Sequence, residues 1–304
     1  MKLRLPVTTW PALLLLLAGC RGGAAPPRDA AAPPRPVLRY SHDLLFVAAP
    51  GAEPRILTLR FRATRGDSLR QRSVRGWLAR GGTWEGFLRE TWSGPAVGSV
   101  WTIVPHDDLH LAAGGPADVE AIWYRRGSRR LRLRIGEPLS GWAGGDRLRM
   151  RFLDGSLALA GESSPGTVLE SLSDEPEPVA GARDRLFLVA GDSLWLAIDA
   201  DSARTATFAE LLEGTTERAS ERVTLSTSAT TVVTAARRNV PTRWRFELPE
   251  LGITGELRAV GAAADVGAER GGRRAVDANY TVAGWIERAG VRAEVTGVAR
   301  HRAW

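Results

Sequence analysis

Residues able to do chemistry are sparse in this 304-residue chain, and their spacing is unspecific. The densest ligand-capable cluster is His106-Asp107-Asp108-Leu109-His110. Two histidines four apart share one helical face and could meet a metal there. Pro105 and the strand-like flanks put the segment in a loop instead. In a strand, positions four apart lie some 13 Å apart at about 3.3 Å per residue. The segment is read as a solvated turn, and no metal site is expected. Gly66-Asp67-Ser68 and Gly191-Asp192-Ser193 are turn sequences, since a nucleophile elbow needs a strand-to-helix context. The carboxylate pairs Asp107/Asp108, Asp199/Asp201 and Glu247/Glu250 stand where surface turns place acids. These patterns assign no catalytic residue and imply no cofactor. Tryptophan is the more informative residue: Trp77, Trp84, Trp92, Trp101, Trp123, Trp142, Trp195, Trp244, Trp285 and Trp304. Such rings bury about 150–250 Å² each and either line an apolar cavity or fill a core.

The elements that must position these residues are strands. Arg55 to Thr64 alternates apolar and polar residues, which predicts one face in a core and Arg60 and Arg62 facing out. The same alternation recurs in Ser73 to Arg80, Trp84 to Trp92, Val97 to Val104, Arg130 to Ile135 and Arg147 to Phe152. Turns are expected at Arg65-Gly66-Asp67, Gly81-Gly82, Gly127-Ser128 and Asp154-Gly155. Ser163 to Arg183 changes character, and Asp174-Glu175-Pro176-Glu177-Pro178 reads as an interdomain linker. A second strand series then runs from Arg185 to His301, with turns at Gly191-Asp192 and Ala289-Gly290. Asp201 to Glu213 fits a capped helix or a strand hairpin equally well. Short strands at about 8–12-residue spacing predict an all-β chain of barrels or sandwiches; each half has the size of a small antiparallel β-barrel, which gives two in tandem, and a barrel of about eight to ten strands can enclose one small ligand. The expected domains are 37–172 and 184–304, joined by a linker at 173–183.

The N-terminus reads as an export signal over residues 1–19. Lys2 and Arg4 precede the apolar run Ala12 to Ala18, which is too short to span a bilayer. Leu17-Ala18-Gly19-Cys20 resembles the bacterial lipobox, which implies diacylation of Cys20. That is the sole cysteine, so no disulfide framework is available. Each buried acyl CH₂ contributes about 0.8 kcal/mol to anchoring. Residues 20–36 are rich in Pro, Ala and Gly and form a flexible tether. Arg21 follows the cysteine, which favours the outer membrane, facing the periplasm or the surface. Processing would remove two basic residues and leave 39 basic against 34 acidic side chains, a net +5. Arginines alternating along strands describe outer sheet faces rather than a nucleic-acid site, and no nucleic-acid partner is expected. Anionic lipid headgroups are the more natural counter-charge.

The second half resembles a known family. Pro241-Thr242-Arg243-Trp244 through Pro249-Glu250-Leu251-Gly252-Ile253 is similar to a segment of the carotenoid 1,2-hydratase and AttH-like group. Val282-Ala283-Gly284-Trp285-Ile286-Glu287 and Ala293-Glu294-Val295-Thr296-Gly297-Val298 resemble that group's final strand pair. Asp184 to Ala197 sits where the group opens its second barrel. The resemblance implies two lipocalin-like barrels and an apolar ligand or substrate. The sequence departs from the group at Arg39-Tyr40-Ser41-His42 and at Asp277-Ala278-Asn279-Tyr280, and Val298 stands where the group has a tyrosine. Trp195, Trp244, Tyr280, Trp285 and Glu294 are the candidate ligand-lining residues, and Glu294 is the acid that falls within a family-like string. The reading that follows is a membrane-anchored lipocalin-like lipoprotein that binds a small apolar ligand without turnover. A structural envelope lipoprotein with filled barrels is the first alternative, and a hydratase- or cyclase-like enzyme is the second. A pocket holding a buried carboxylate beside a basic or aromatic partner would favour the enzyme.

Overall fold

The computed structural model describes residues 38–64, 69–95, 107–113, 119–145, 147–176, 181–202, 207–270 and 273–304. The export segment, Cys20, the tether, the expected turn at 65–67, the expected strand at 97–104, Trp101 and His106 lie outside the described residues.

Among the described residues the regular structure is antiparallel strand, apart from two short 3₁₀ turns. The first sheet is built from β1 (Leu38–Ala48), β2 (Arg55–Thr64), β3 (Leu69–Arg80), β4 (Thr83–Pro95), β5 (Leu109–Ala113), β6 (Val119–Arg126), β7 (Arg129–Pro138), β8 (Ala143–Gly145), β9 (Leu148–Leu159) and β10 (Glu162–Pro176). Its order is β4-β3-β2-β1-β10-β9-β7-β6-β5, with β8 beside β9. The second sheet comprises β11 (Ala182–Ala190), β12 (Leu194–Asp201), β13 (Phe208–Glu213), β14 (Thr216–Ser220), β15 (Thr224–Val233), β16 (Arg238–Leu248), β17 (Ile253–Arg270), β18 (Arg273–Arg288) and β19 (Val291–Ala303). Its order, β14-β13-β12-β11-β19-β18-β17-β16-β15, repeats the plan of the first. In each sheet the first and last strands are neighbours at the centre. Of the residues left open between helix and hairpin, Asp201 ends β12 and Phe208–Glu213 form β13, while 203–206 lie outside the described residues.

Each sheet curls far enough for its two flanks to touch. In the first, the Tyr124 hydroxyl on β6 donates to the Phe87 carbonyl on β4 at 2.8 Å. In the second, Ser220 on β14 reaches Glu250, in the turn that follows β16, at 2.9 Å. Period-2 alternation fills each interior. On β7, Leu131 and Leu133 point inward while Arg130, Arg132 and Arg134 face solvent. The two interiors are separate apolar cores, one around Leu44, Phe46, Leu59 and Leu157, the other around Leu186, Leu188, Trp244 and Phe246.

A third core lies between the sheets. Leu45, Val47, Met150 and Phe152 from the first meet Phe187, Val189, Ala197 and Val298 from the second, with the Phe152 and Phe187 rings 5.9 Å apart. This layer explains why β1, β2 and β11 are buried on both faces. It also corrects the expectation that Arg60 faces solvent: the covering sheet buries it. The layer becomes ionic at one end. Arg185 Nη1 donates to Asp43 Oδ2 at 3.0 Å and its Nε to Asp199 Oδ2 at 2.7 Å. Arg300 Nη1 donates to the same Asp43 oxygen at 2.7 Å and its Nε to Asp277 Oδ1 at 3.0 Å. Arg60 pairs with Asp277 as well. Burial alone would raise the Asp43 carboxyl, but Arg60 and Arg185 outweigh it and hold it below the usual carboxylate range.

Two further expectations change. Asp154-Gly155 is not a turn, since β9 runs straight through it and the reversal comes at Ala160-Gly161. Gly155 is there for space: a Cβ would stand 2.8 Å from Val168 Cγ2. Asp174-Glu175-Pro176 also belongs to β10, paired with the start of β1, and so does not break the strand.

Candidate active site

The second barrel brings a carboxylate and an imidazole together inside an apolar wall. On β11, Leu186, Leu188 and Ala190 point inward, and Asp184 continues that stripe by two residues. On β19, Val295 and Ala299 point inward, and His301 continues theirs. The antiparallel register sets Asp184 directly opposite His301. Asp184 Oδ1 accepts the Trp244 indole N–H at 3.0 Å and lies 3.0 Å from His301 Nδ1. An indole nitrogen can only donate, so this oxygen is an acceptor. The imidazole proton therefore belongs on Nδ1, which leaves Nε2 as the basic nitrogen.

Trp244 and Tyr280 complete the cluster from β16 and β18. Their rings meet edge to face, 5.1 Å apart at 68°. Trp244 is 0% exposed and Tyr280 1%. The Tyr280 hydroxyl is buried with no hydrogen-bond partner among the described residues. Burial first, and the Asp184 carboxylate second, push its pKa up, so the phenol stays protonated and available as a donor. A buried polar atom without a partner is uncommon in native proteins, and a functional role is one explanation for it. The arrangement offers an oriented base, His301, and a neutral donor, Tyr280, against aromatic and aliphatic walls.

Of the five residues singled out by sequence, the structure brings two together, Trp244 and Tyr280. The other three lie on the opposite faces of their strands. Trp195 packs against the core between the sheets. Trp285 and Glu294 stand opposite each other across β18 and β19, on the outer face. The Arg292 guanidinium lies 3.9 Å from the centre of the Trp285 ring, and Glu294 is exposed. The reason is strand parity: Tyr280, Val282 and Ile286 take the inward positions of β18, so Trp285 must face out. Asp184 and His301 were missed as site residues. The signal for them was a polar residue extending an inward apolar stripe. Elsewhere, Asp107 and Asp108 form a turn and His110 is exposed on β5. Among the described residues no three His, Cys, Asp or Glu side chains gather as a metal site requires.

No protein-family model and no curated protein matches the sequence. Solved structures do match in fold. An AttH-like protein from Nitrosomonas europaea aligns over 93% of this chain and 98% of its own, at 15% identity and a TM-score of 0.54. Kievitone hydratase from Nectria haematococca aligns over 88% of this chain and 89% of its own, at 10% identity and a TM-score of 0.58. CghA aligns over 88% of both chains, at 11% identity and a TM-score of 0.50. The chain therefore has an all-β lipocalin-like fold of the kind found in those proteins. The likeness is one of architecture, and chemistry has to be argued from the site.

Proposed function

We propose that the protein is an enzyme that carries out proton transfer during addition or elimination on an apolar substrate, hydratase- or cyclase-like, inside the second barrel. The observation that carries this reading is the Asp184–His301 pair joined to Trp244, with the Tyr280 hydroxyl buried and unpartnered beside it. His301 Nε2 exchanges a proton with water or with the substrate. Asp184 holds the imidazole and balances the charge it gains. Tyr280 donates to a substrate oxygen. One of the solved proteins sharing the fold is a hydratase, which agrees with this reading. The sequence alone favoured a binder without turnover, and the buried carboxylate–imidazole pair reverses that preference. Native mass spectrometry of protein drawn from its host would identify the bound apolar species. That species is then incubated with enzyme in H₂¹⁸O and D₂O. The expected result is incorporation of ¹⁸O or deuterium by the wild type and loss of it in His301→Gln. A bound species that acquires neither label would restore the binding-only reading.

We also infer that the folded part is tethered to the cell envelope through acylated Cys20. The support is the Leu17-Ala18-Gly19-Cys20 string and the Pro/Ala-rich segment that follows it. Labelled palmitate should enter the wild-type protein, and Cys20→Ala should release it from the membrane fraction. Unlabelled, membrane-free wild-type protein would remove the anchor from the reading.

A further inference from the structure

A cleft of about 910 Å³ opens along the outer face of β6, β7 and β9, beside the Asp107–Asp108 turn. That is the size of a small-molecule site, about 300–1,000 Å³. Its shape follows from strand register. His110 on β5, Trp123 on β6, Arg132 on β7 and Ala158 on β9 stand side by side in one row. The next row holds Arg125 and Arg130, with the Ala160 N–H donating to the Arg130 carbonyl at 3.3 Å. Leu157 and Leu159 turn inward, so Ala158 and Ala160 face out. Long side chains on β6 and β7 therefore stand beside alanines, and the step between them forms the cleft.

The cleft carries unbalanced positive charge. Arg125 and Arg130 are directly opposite each other on neighbouring strands, and both are exposed. Like charges so placed repel. The flanking cross-strand pair is neutralised: Arg126 Nε lies 3.8 Å from Asp108 Oδ2, and Arg129 pairs with Glu85. Among the described residues neither Arg125 nor Arg130 has a carboxylate partner, although Asp107 lines the same cleft. A third guanidinium, that of Arg132, lies 5.3 Å from the centre of the Trp123 ring, a contact that positions it in the adjoining row. A phosphate between Arg125 and Arg130 turns their repulsion into attraction, because guanidinium forks match phosphate oxygens. On the β5 side, the Asp107 carboxylate can accept from hydroxyl groups and the His110 imidazole can donate to them. Trp123 stands between the two sets and offers a flat apolar surface to a ring.

We propose that this cleft binds a soluble sugar monophosphate, with the phosphate on Arg125 and Arg130, the ring against Trp123 and the hydroxyls toward Asp107 and His110. The site is separate from the chemistry assigned to the second barrel. Isothermal titration of the folded protein with glucose 1-phosphate, glucose 6-phosphate and N-acetylglucosamine 1-phosphate tests it, beside glucose and inorganic phosphate. At least one sugar phosphate should bind at least about tenfold more tightly than glucose or phosphate alone, because both halves of the ligand are held. Arg130→Ala should weaken that binding about 10–100-fold, the range for one charge-assisted contact. Arg130→Glu should abolish it. Because the new carboxylate would face Arg125, that variant should hold or raise the melting temperature, which separates lost binding from lost fold. Trp123→Phe should weaken the sugar phosphate and leave inorganic phosphate unchanged, and Tyr280→Phe in the second barrel should alter neither. No saturable heat from any of the sugar phosphates, or an unaffected Arg130→Ala, would overturn the proposal. So would inorganic phosphate binding as tightly as they do, which would mean an adventitious ion only.

Discussion

Asp43 and Arg185 occupy the same place in their two sheets and bond to each other at 3.0 Å. Each lies on the first strand of its sheet. Each follows an inward ionisable residue, His42 or Asp184, and precedes an inward leucine, Leu44 or Leu186. The repeated plan therefore meets itself as a cross-pair of opposite charges. The interior pairs are exchanged as well: the first barrel has histidine on its first strand and carboxylate on its last, and the second has the reverse.

Removing Asp43 takes one carboxylate from Arg60, Arg185 and Arg300, each of which keeps another. Asp43→Ala leaves Arg185 and Arg300 buried without that carboxylate and should cost about 3–5 kcal/mol in chemical denaturation. The carboxyls of Asp43 and Asp199 are both held low in the folded state. Their contribution is present above the unfolded value near 3.9 and is lost as the pH falls through the folded values. Wild-type stability should therefore drop below about pH 4, and Asp43→Ala should show less of that drop.

Glu210 acts in the opposite direction. Burial raises its carboxyl to about 8, with Ser140 opposing and Glu217 adding to the rise. The folded state then binds the proton more tightly than the unfolded chain. Stability is full below the unfolded value near 4.3 and is lost progressively as the pH rises toward 8. Glu210→Gln keeps a neutral side chain there and should flatten the loss, read as the melting temperature from pH 5 to pH 9.

Tyr280→Phe should separate stability from function. It deletes a buried hydroxyl that lacks a partner, so stability should hold or rise by about 1 kcal/mol. Isotope incorporation into the bound substrate should fall, because the neutral donor is gone. A large loss of stability would instead reveal a structural role.

Asp184→Asn should disturb the imidazole without emptying the site. With a carboxylate opposite, the His301 proton resides on Nδ1. An amide can present either its oxygen or its NH₂ group, so ¹⁵N NMR should show the Nε2–H form appearing. Unchanged ¹⁵N shifts would mean that Asp184 does not fix the tautomer.

Gly261 should not tolerate a side chain. A Cβ there would stand 1.8 Å from the carbonyl oxygen of Gly82, in the turn between β3 and β4. Gly261→Ala should cost about 1–3 kcal/mol and loosen the contact between the sheets, seen as faster amide exchange around Gly82.

Much of the fold was legible because period-2 stripes such as Leu131/Leu133 against Arg130/Arg132/Arg134 survive in a single sequence. What failed was whatever depends on a second layer. Arg60 alternates like a solvent-facing residue, and only the packing of the second sheet buries it. Asp154-Gly155 has turn chemistry, but the close approach of Val168 uses that glycine inside a strand. Trp244 was reached through a short family-like string, whereas Tyr280 stands where the sequence departs from that group. Asp184 and His301 were not reached, because each is an unremarkable polar residue until the register of β11 and β19 sets them face to face. Trp285 and Glu294 belong to equally suggestive strings, and their parity turned them outward.

The Asp184–His301 contact spans 117 residues, and the Asp43–Arg300 contact spans 257. Contacts of that reach form only after the intervening loops have closed, which is the slow part of folding a β-rich chain. A half-folded molecule with all its hairpins in place would still hold its imidazole and carboxylates apart in water. On the proposed function such a molecule would be chemically silent, so the return of isotope incorporation during refolding would time the closure of the second barrel rather than the appearance of its strands.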